Sequence, residues 1–285
     1  MSIEILPTGA ALGAEVRGLD ISNPLSEDDV TVLKEAWADH IVLLFRGQHL
    51  TDDDLIRFSR HFGELDIAPA SATDYAGAQE KSRPEIWIIS NVVENGKPIG
   101  ALGDKEAEWH TDMSYVDEPP MASVLYSLEI PDHGGDTSFA NMYKAYETLP
   151  AELKRAVEGR LANHDSSTTS VGELRAGAGA VLDVRQAPGA KHPMVRTHPV
   201  TGGKALYLGR RLNAYAEGLE LADSERLLDA LWAHCAKPEF AWTHQWRVGD
   251  LLIWDNRAAI HRRDGFDGSQ RRVMHRTQIK GDRPR

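Results

Sequence analysis

Apolar positions recur at helical spacing twice near the N-terminus. Ser26 precedes a run in which Val30, Leu33 and Trp37 share one face, and Asp29 stands at the capping-box position. Thr51 and Asp54 repeat that device before Leu55, Phe58 and Phe62, with Gly63 as a stop. Between the two helices the apolar run 41–45 ends at Gly47 and predicts a buried strand. Strand-like runs follow at 85–91, 110–115, 123–130 and 137–139. Helices are predicted over Met142–Glu147 and 150–158, with Pro150 suited to a first helical turn. Residues 165–191 are rich in Ser, Thr, Ala and Gly without a period, and predict a long surface loop of the kind that often forms a lid. Beyond it, 194–198 and 204–208 flank Thr201-Gly202-Gly203 as a hairpin. The run 222–236 is the strongest helix pattern, with Leu227, Leu228, Leu231 and Trp232 inward. Strands at 240–246, Leu251–Asp255 and 271–280 complete the chain. Many short strands, Gly/Pro turns and few helices predict a mainly β fold with flanking helices (α+β), built as a closed barrel or jelly roll. A generic α+β arrangement without a barrel is the alternative.

The chain has 285 residues, enough for one elaborated β domain over 1–285 with its own core. Lid loops are expected at 66–84 and 165–191. The formal charge of −11 argues against a partner held by bulk positive charge, whether nucleic acid or an anionic membrane. Cys235 is the only cysteine, which excludes an internal disulfide or a Cys-rich zinc module. The start MSIEILPTGAALGAEV has no basic segment followed by an apolar one, and no apolar run approaches the ~18 residues of a membrane span. A cytoplasmic protein is expected.

Most of the twelve histidines need no special role. His40, His61 and His234 sit near predicted helix ends, where a cation complements the macrodipole. His49, His133, His192 and His198 lie in turn-like surroundings and are expected to be solvated. His110-Thr111-Asp112 is the only His-x-Asp in the chain. On a strand, such residues would share one face, roughly 6.6 Å apart. One imidazole and one carboxylate leave room for a third ligand from a distant strand, and two His with one carboxylate make the facial triad of non-haem Fe(II) oxygenases. His261, within WDNRAAIH, is the candidate third ligand. Arg272 and Arg276 should face one side of the last strand, roughly 13 Å apart, with Val273 and His275 on the other. Inward arginines are costly unless they meet anions; the alternative is a solvated basic edge strand.

Four pieces together resemble the taurine/phenoxyacetate dioxygenase family, over nearly the whole chain. They are Trp109-His110-Thr111-Asp112, Gly134-Gly135-Asp136-Thr137, the run MVRTHPVTG, and WDNRAAIH followed by RRVMHR. Thr137 lies 27 residues after His110, and Arg272 lies 11 after His261, as the family's pattern requires. The resemblance implies a double-stranded β-helix (jelly-roll, cupin-like) core. It implies Fe(II) held by His110, Asp112 and His261, and 2-oxoglutarate whose distal carboxylate meets Arg272 and Thr137. It implies that O2 and 2-oxoglutarate are consumed to hydroxylate a small anionic substrate held by Arg276, with release of succinate and CO2. The arginine fork matches a carboxylate in two charge-assisted hydrogen bonds.

The resemblance also frames the substrate. Phe62-Gly63-Glu64-Leu65 is followed by Ala68 and Ser71 where taurine-specific members carry His and Tyr, and Ser166 stands where an aromatic is expected. The runs FRGQ and ISNV are closer to phenoxyalkanoate-cleaving members. A carboxylate substrate, such as an aryloxyalkanoate, is therefore expected ahead of a sulfonate or alkyl sulfate ester of the taurine type. Arg257, Arg262, Arg263, Arg271, Arg272 and Arg276 against Asp264 and Asp267 make this stretch locally basic within an acidic chain. A homo-oligomer is expected. A non-catalytic metal- or anion-binding β-barrel stays open on the residues alone, as does a nucleic-acid oxygenase, which the acidic balance disfavours.

Overall fold

The computed structural model describes residues 3–68 and 83–285. In chain order, β1 (Glu4–Pro7), β2 (Ala14–Arg17), α1 (Glu27–His40), β3 (Val42–Phe45) and α2 (Asp52–Arg60) come first. They are followed by β4 (Trp87–Ser90), β5 (Val93–Glu94), β6 (Lys97–Pro98), β7 (Ala101–Leu102), β8 (Ala107–His110) and β9 (Ala122–Glu129). Next are β10 (Thr137–Asn141), α3 (Met142–Glu147), α4 (Ala151–Val157), β11 (Leu161–Asp165) and β12 (Gly189–Pro193). A hairpin of β13 (Val195–Thr197) and β14 (Lys204–Leu206) leads to β15 (Tyr215–Ala216) and α5 (Leu221–Cys235). The chain closes with β16 (Ala241–His244), β17 (Leu251–Asp255), β18 (Ala259–Arg263) and β19 (Val273–Ile279).

Both predicted capping boxes form. Ser26 and Asp29 satisfy each other's backbone N–H at the start of α1, and Thr51 and Asp54 do the same for α2. The helices then cover one face of an eight-stranded sheet of order β1-β2-β3-β17-β9-β19-β4-β7. Leu43, Phe45, Leu251, Ile253 and Tyr126 pack there against Leu33, Trp37, Leu55 and Phe58. The alternate residues Val42, Leu44, Leu125, Leu252, Trp254 and Met274 point to the other side and meet Phe139 and Ala259. Those two belong to the four-stranded sheet β16-β10-β18-β8, so the two sheets face each other as a double-stranded β-helix. With both faces covered, β3 and β17 read as unbroken apolar runs. A further cluster packs Leu227, Leu228, Leu231 and Trp232 of α5 against α3 and β14.

Several expectations need correction. The run 110–115 is no strand: β8 ends at His110, and residues 112–115 form a turn in which Met113 has φ 45°. Ala259–Arg263, unassigned by periodicity, is an interior strand of the smaller sheet. The segment 165–191 is anchored at both ends by the pairing of β11 with β12. Of the other expected lid loop, 66–84, residues 69–82 lie outside those described. His192 and His198 are not solvated; both are buried. Among the described residues, no helix is long and apolar enough to cross a membrane.

His198 belongs to a buried ionic cluster that ties the β13–β14 hairpin to β17. Its Nε2 lies 3.0 Å from Asp255 Oδ2, and Arg257 grips Asp255 with Nε at 2.9 Å and Nη2 at 2.7 Å. Burial opposes the Asp255 carboxylate, but Arg257 and His198 outweigh it and hold its pKa down at about 2. A depressed folded pKa stabilises above the unfolded value and is lost as pH falls through the folded one. Urea unfolding between pH 4 and pH 2 should therefore lose about 2 kcal/mol through this one group. Asp255→Asn should flatten that acid limb, which equilibrium unfolding at stepped pH will measure.

Candidate active site

The smaller sheet carries two of the three expected metal ligands. β18 pairs with β8 in antiparallel register, His261 opposite His110, and their ring centroids lie 4.2 Å apart. Asp112 reaches the same point from the turn after β8. Its Oδ1 is 3.8 Å from His110 Nε2 and 3.9 Å from His261 Nε2. Ligand atoms of all three, every one buried, lie within 4.8 Å of one another. The convergence therefore comes from a strand end, a turn and a cross-strand neighbour, and not from two residues on one strand face.

Protonation suits this set to a divalent cation. Burial pushes the His110 imidazole down to about 3, with the neighbouring His261 and Arg210 adding to the effect. His261 is lowered by burial as well. Near neutral pH both rings are uncharged and can offer a lone pair. The Nδ1 of His110 is 2.7 Å from the Glu108 carbonyl; donating there leaves Nε2 as the acceptor turned to the site. Burial opposes ionised Asp112, yet the Arg276 charge, the neighbouring imidazoles of His261 and His110 and the Ser123 hydroxyl hold its carboxyl below the usual range. Two neutral imidazoles and one ionised carboxylate are the donor set for non-haem iron.

A second layer, which sequence reasoning missed, fixes these ligands. Ser123 Oγ donates to Asp112 Oδ2 at 2.6 Å, Asn256 Nδ2 donates to Ser123 Oγ at 3.3 Å, and Trp254 Nε1 donates to Asn256 Oδ1 at 2.9 Å. Trp254 also packs against His261, with centroids 4.9 Å apart. Asn256 and Trp254 lie inside the run WDNRAAIH, so a signal existed for them; Ser123 carried none.

The structure puts Arg272 and Arg276 inside. β19 lies between β9 and β4, so it is no edge strand. Its outward residues bind α2: His275 Nδ1 is 2.6 Å from Asp52, and Thr277 shares a 2.7 Å hydrogen bond with Ser59. Arg272 is 2% exposed with an unpartnered Nε, and among the described residues it makes no ion pair. Burial drives its guanidinium down to about 9, aided by the Arg263 charge. Gly135, at φ 69°, lets it pass: a Cβ there would stand 3.2 Å from Arg272 Nε. Arg272 borders a cavity of about 360 Å3 that Gly134, Gly135, Asp136 and Trp246 also line. Trp246 Nε1 donates to Thr137 Oγ1 at 3.0 Å, which leaves the Thr137 hydroxyl hydrogen free for another acceptor. Arg276 lies over the Trp87 ring at 4.8 Å, and its Nη1 is 3.3 Å from Asp112 Oδ1.

Known proteins resemble this chain over nearly its whole length. The family model described as taurine catabolism dioxygenase TauD, TfdA family matches residues 4–278. The (S)-phenoxypropionate/alpha-ketoglutarate-dioxygenase of Delftia acidovorans is 32% identical over 296 residues, covering 98% of this chain and 96% of the relative. The alpha-ketoglutarate-dependent sulfate ester dioxygenase of Pseudomonas putida is 30% identical over 291 residues, covering 100% and 91%. The solved structure of AAD-2 in complex with Mn(II) and N-oxalylglycine superposes with a TM-score of 0.79 at 28% identity, covering 100% of this chain and 99% of that one. The chain belongs to the taurine catabolism dioxygenase TauD, TfdA family and is an alpha-ketoglutarate-dependent dioxygenase.

Proposed function

We propose that the chain hydroxylates a small organic anion, with His110, Asp112 and His261 holding Fe(II), Thr137 and Arg272 holding the distal carboxylate of 2-oxoglutarate, and Arg276 holding the substrate's anionic group. The single observation that carries this reading is the convergence of the three ligand side chains beside two buried inward arginines of one strand. Iron bound there supplies O2 activation coupled to conversion of 2-oxoglutarate to succinate and CO2. The protein's part is positioning. The Glu108 carbonyl fixes the His110 tautomer, Ser123 aims Asp112, and Trp246 orients the Thr137 hydroxyl. Arg272 offers a charged, desolvated fork where a carboxylate would replace its missing partner.

For the substrate we favour a carboxylate such as an aryloxyalkanoate, in line with the Delftia relative; the Pseudomonas relative supports a sulfate ester as second reading. Arg276 flanked by the Trp87 ring suits an anionic group next to an apolar one. The segment 165–191 is proposed as the cover, its movable part being 176–188, where Leu182 is fully exposed. A cytoplasmic homo-oligomer completes the reading.

Supplying iron, 2-oxoglutarate and a panel of organic anions should give substrate-stimulated succinate, with phenol or sulfite release telling the two substrate classes apart. No succinate across the panel would reject the reading. Arg276→Ala should raise substrate KM by about a hundredfold, as expected for about 3 kcal/mol lost from a broken buried charge pair. Its KM for 2-oxoglutarate should stay within a few-fold, and metal binding measured by calorimetry will show whether loss of the Asp112 contact contributes. Equal loss of both affinities would end that division of labour. Arg272→Lys keeps the charge but loses the fork, so the KM for 2-oxoglutarate should rise about tenfold or more while the substrate KM holds.

A further inference from the structure

Two more cations, Arg210 and Arg175, lie by the strand end that carries the metal ligands and make no ion pair among the described residues. The backbone of Arg210 bridges that of His110, and Gly209 O accepts from Thr111 N at 2.8 Å, so Arg210 is fastened to the strand end that carries the site. Its side chain is 9% exposed, with Nε unpartnered. Nη1 donates to Thr168 O at 2.8 Å and to Thr169 O at 2.6 Å. Arg175 Nε donates to the same Thr168 oxygen at 3.0 Å. Two guanidinium groups thus crowd one carbonyl oxygen. Arg175 also stacks on Tyr115, 4.5 Å from the ring centroid, in the turn that holds Asp112.

Among the described residues no acid makes direct contact with them; Asp165 and Asp112 act on Arg210 only through space. Neither arginine has an ion pair, and Glu173 is taken by Lys105. The oxygens of Asp165 are occupied by Ser167, Thr168 and Asn213. Like charges brought this close in a partly dry setting repel unless an anion sits with them. The segment holding them is rigidly folded: Thr168 bridges Leu174, Arg175 N donates to Ser167 O at 2.8 Å, and Glu108 N donates to Ser170 O at 3.3 Å. That last contact joins it to the residue whose carbonyl fixes His110. Because the bridge pairs Arg210 directly with His110, its backbone adjoins the metal ligands.

We infer that Arg210 and Arg175 form a second anion subsite beside the metal ligands, and that the substrate is a dianion carrying an oxyanion at each end. The inference rests on Arg276 holding the first anionic group. An acidic chain of net charge −11 that keeps two guanidiniums without an ion pair, among the described residues, by the strand end carrying His110 has a recognition reason for them.

The test uses binding, so it does not depend on turnover. The full-length protein, loaded with Co(II) and N-oxalylglycine under anaerobic conditions, is titrated calorimetrically with matched pairs of aryloxyacetates and alkyl sulfates. Each pair carries a terminal carboxylate or the isosteric carboxamide. The carboxylate member should bind at least about tenfold tighter, the value of one charged hydrogen bond. Arg175→Gln should shrink that ratio to within about twofold, and Arg210→Lys should lower it while retaining the charge. Equal affinity within every pair overturns the inference, as does a preference that survives Arg175→Gln. If neither member of any pair binds the wild-type protein, the role of Arg276 fails and the second subsite falls with it; tight, equal binding within pairs removes the second subsite alone.

Discussion

The register that sets His261 opposite His110 is the constraint on which the site depends. A slip of one residue along β18 would turn His261 to the outer face and present Ile260 or Arg262 instead. Several contacts hold the register. Phe139 of β10 pairs with His261 on the other edge of β18 and lies against its ring, and Trp254 closes a third side. The pairing becomes irregular only beyond His261, towards Arg263, where the chain leaves the site.

Around this pair the barrel concentrates polar groups that water would otherwise solvate. Neutral His110 and His261, ionised Asp112 and the buried cations Arg272, Arg276 and Arg210 all sit where desolvation is the leading effect on each group whose titration is displaced. A core built for stability alone would replace them by apolar residues. On the reading proposed above, the imidazoles and carboxylate serve to hold a cation and the arginines to meet anions. The stability lost at the centre is offset in the surrounding layers, where Leu33, Leu43, Phe45, Leu252 and Trp254 are almost wholly buried.

β19 shows how one strand serves both purposes. Its outward side chains, His275 and Thr277, bind α2, and Ile279 joins the apolar layer beneath the helices. Its inward side chains, Met274 and Arg276, and Arg272 just ahead of it, face the smaller sheet. Because the outward contacts are polar and specific, the strand cannot rotate its arginines to solvent. The period of two in a β-strand turns a helix contact on one face into charge placement on the other.

The helices α1, α2 and α5, the capping boxes of the first two, the strand β17 and the two faces of β19 were legible in the sequence, since capping chemistry and periodicity act over a few residues. The quoted motifs also named the residues that converge at the site. Short range signals could not tell that the chain turns after His110, because the turn puts Met113, a residue that rarely adopts it, in the left-handed region. Nor could they assign Ala259–Arg263 as an interior strand, its arginines masking its buried backbone, or show that His192 and His198 are enclosed. Ser123 beside Asp112, and Arg210 beside Arg175, are juxtapositions of residues far apart in the chain. The sequence by itself determined which elements form and which side chains can do chemistry; tertiary structure alone decided which of them share a dry space, because desolvation and charge act through distance in the fold and not along the chain.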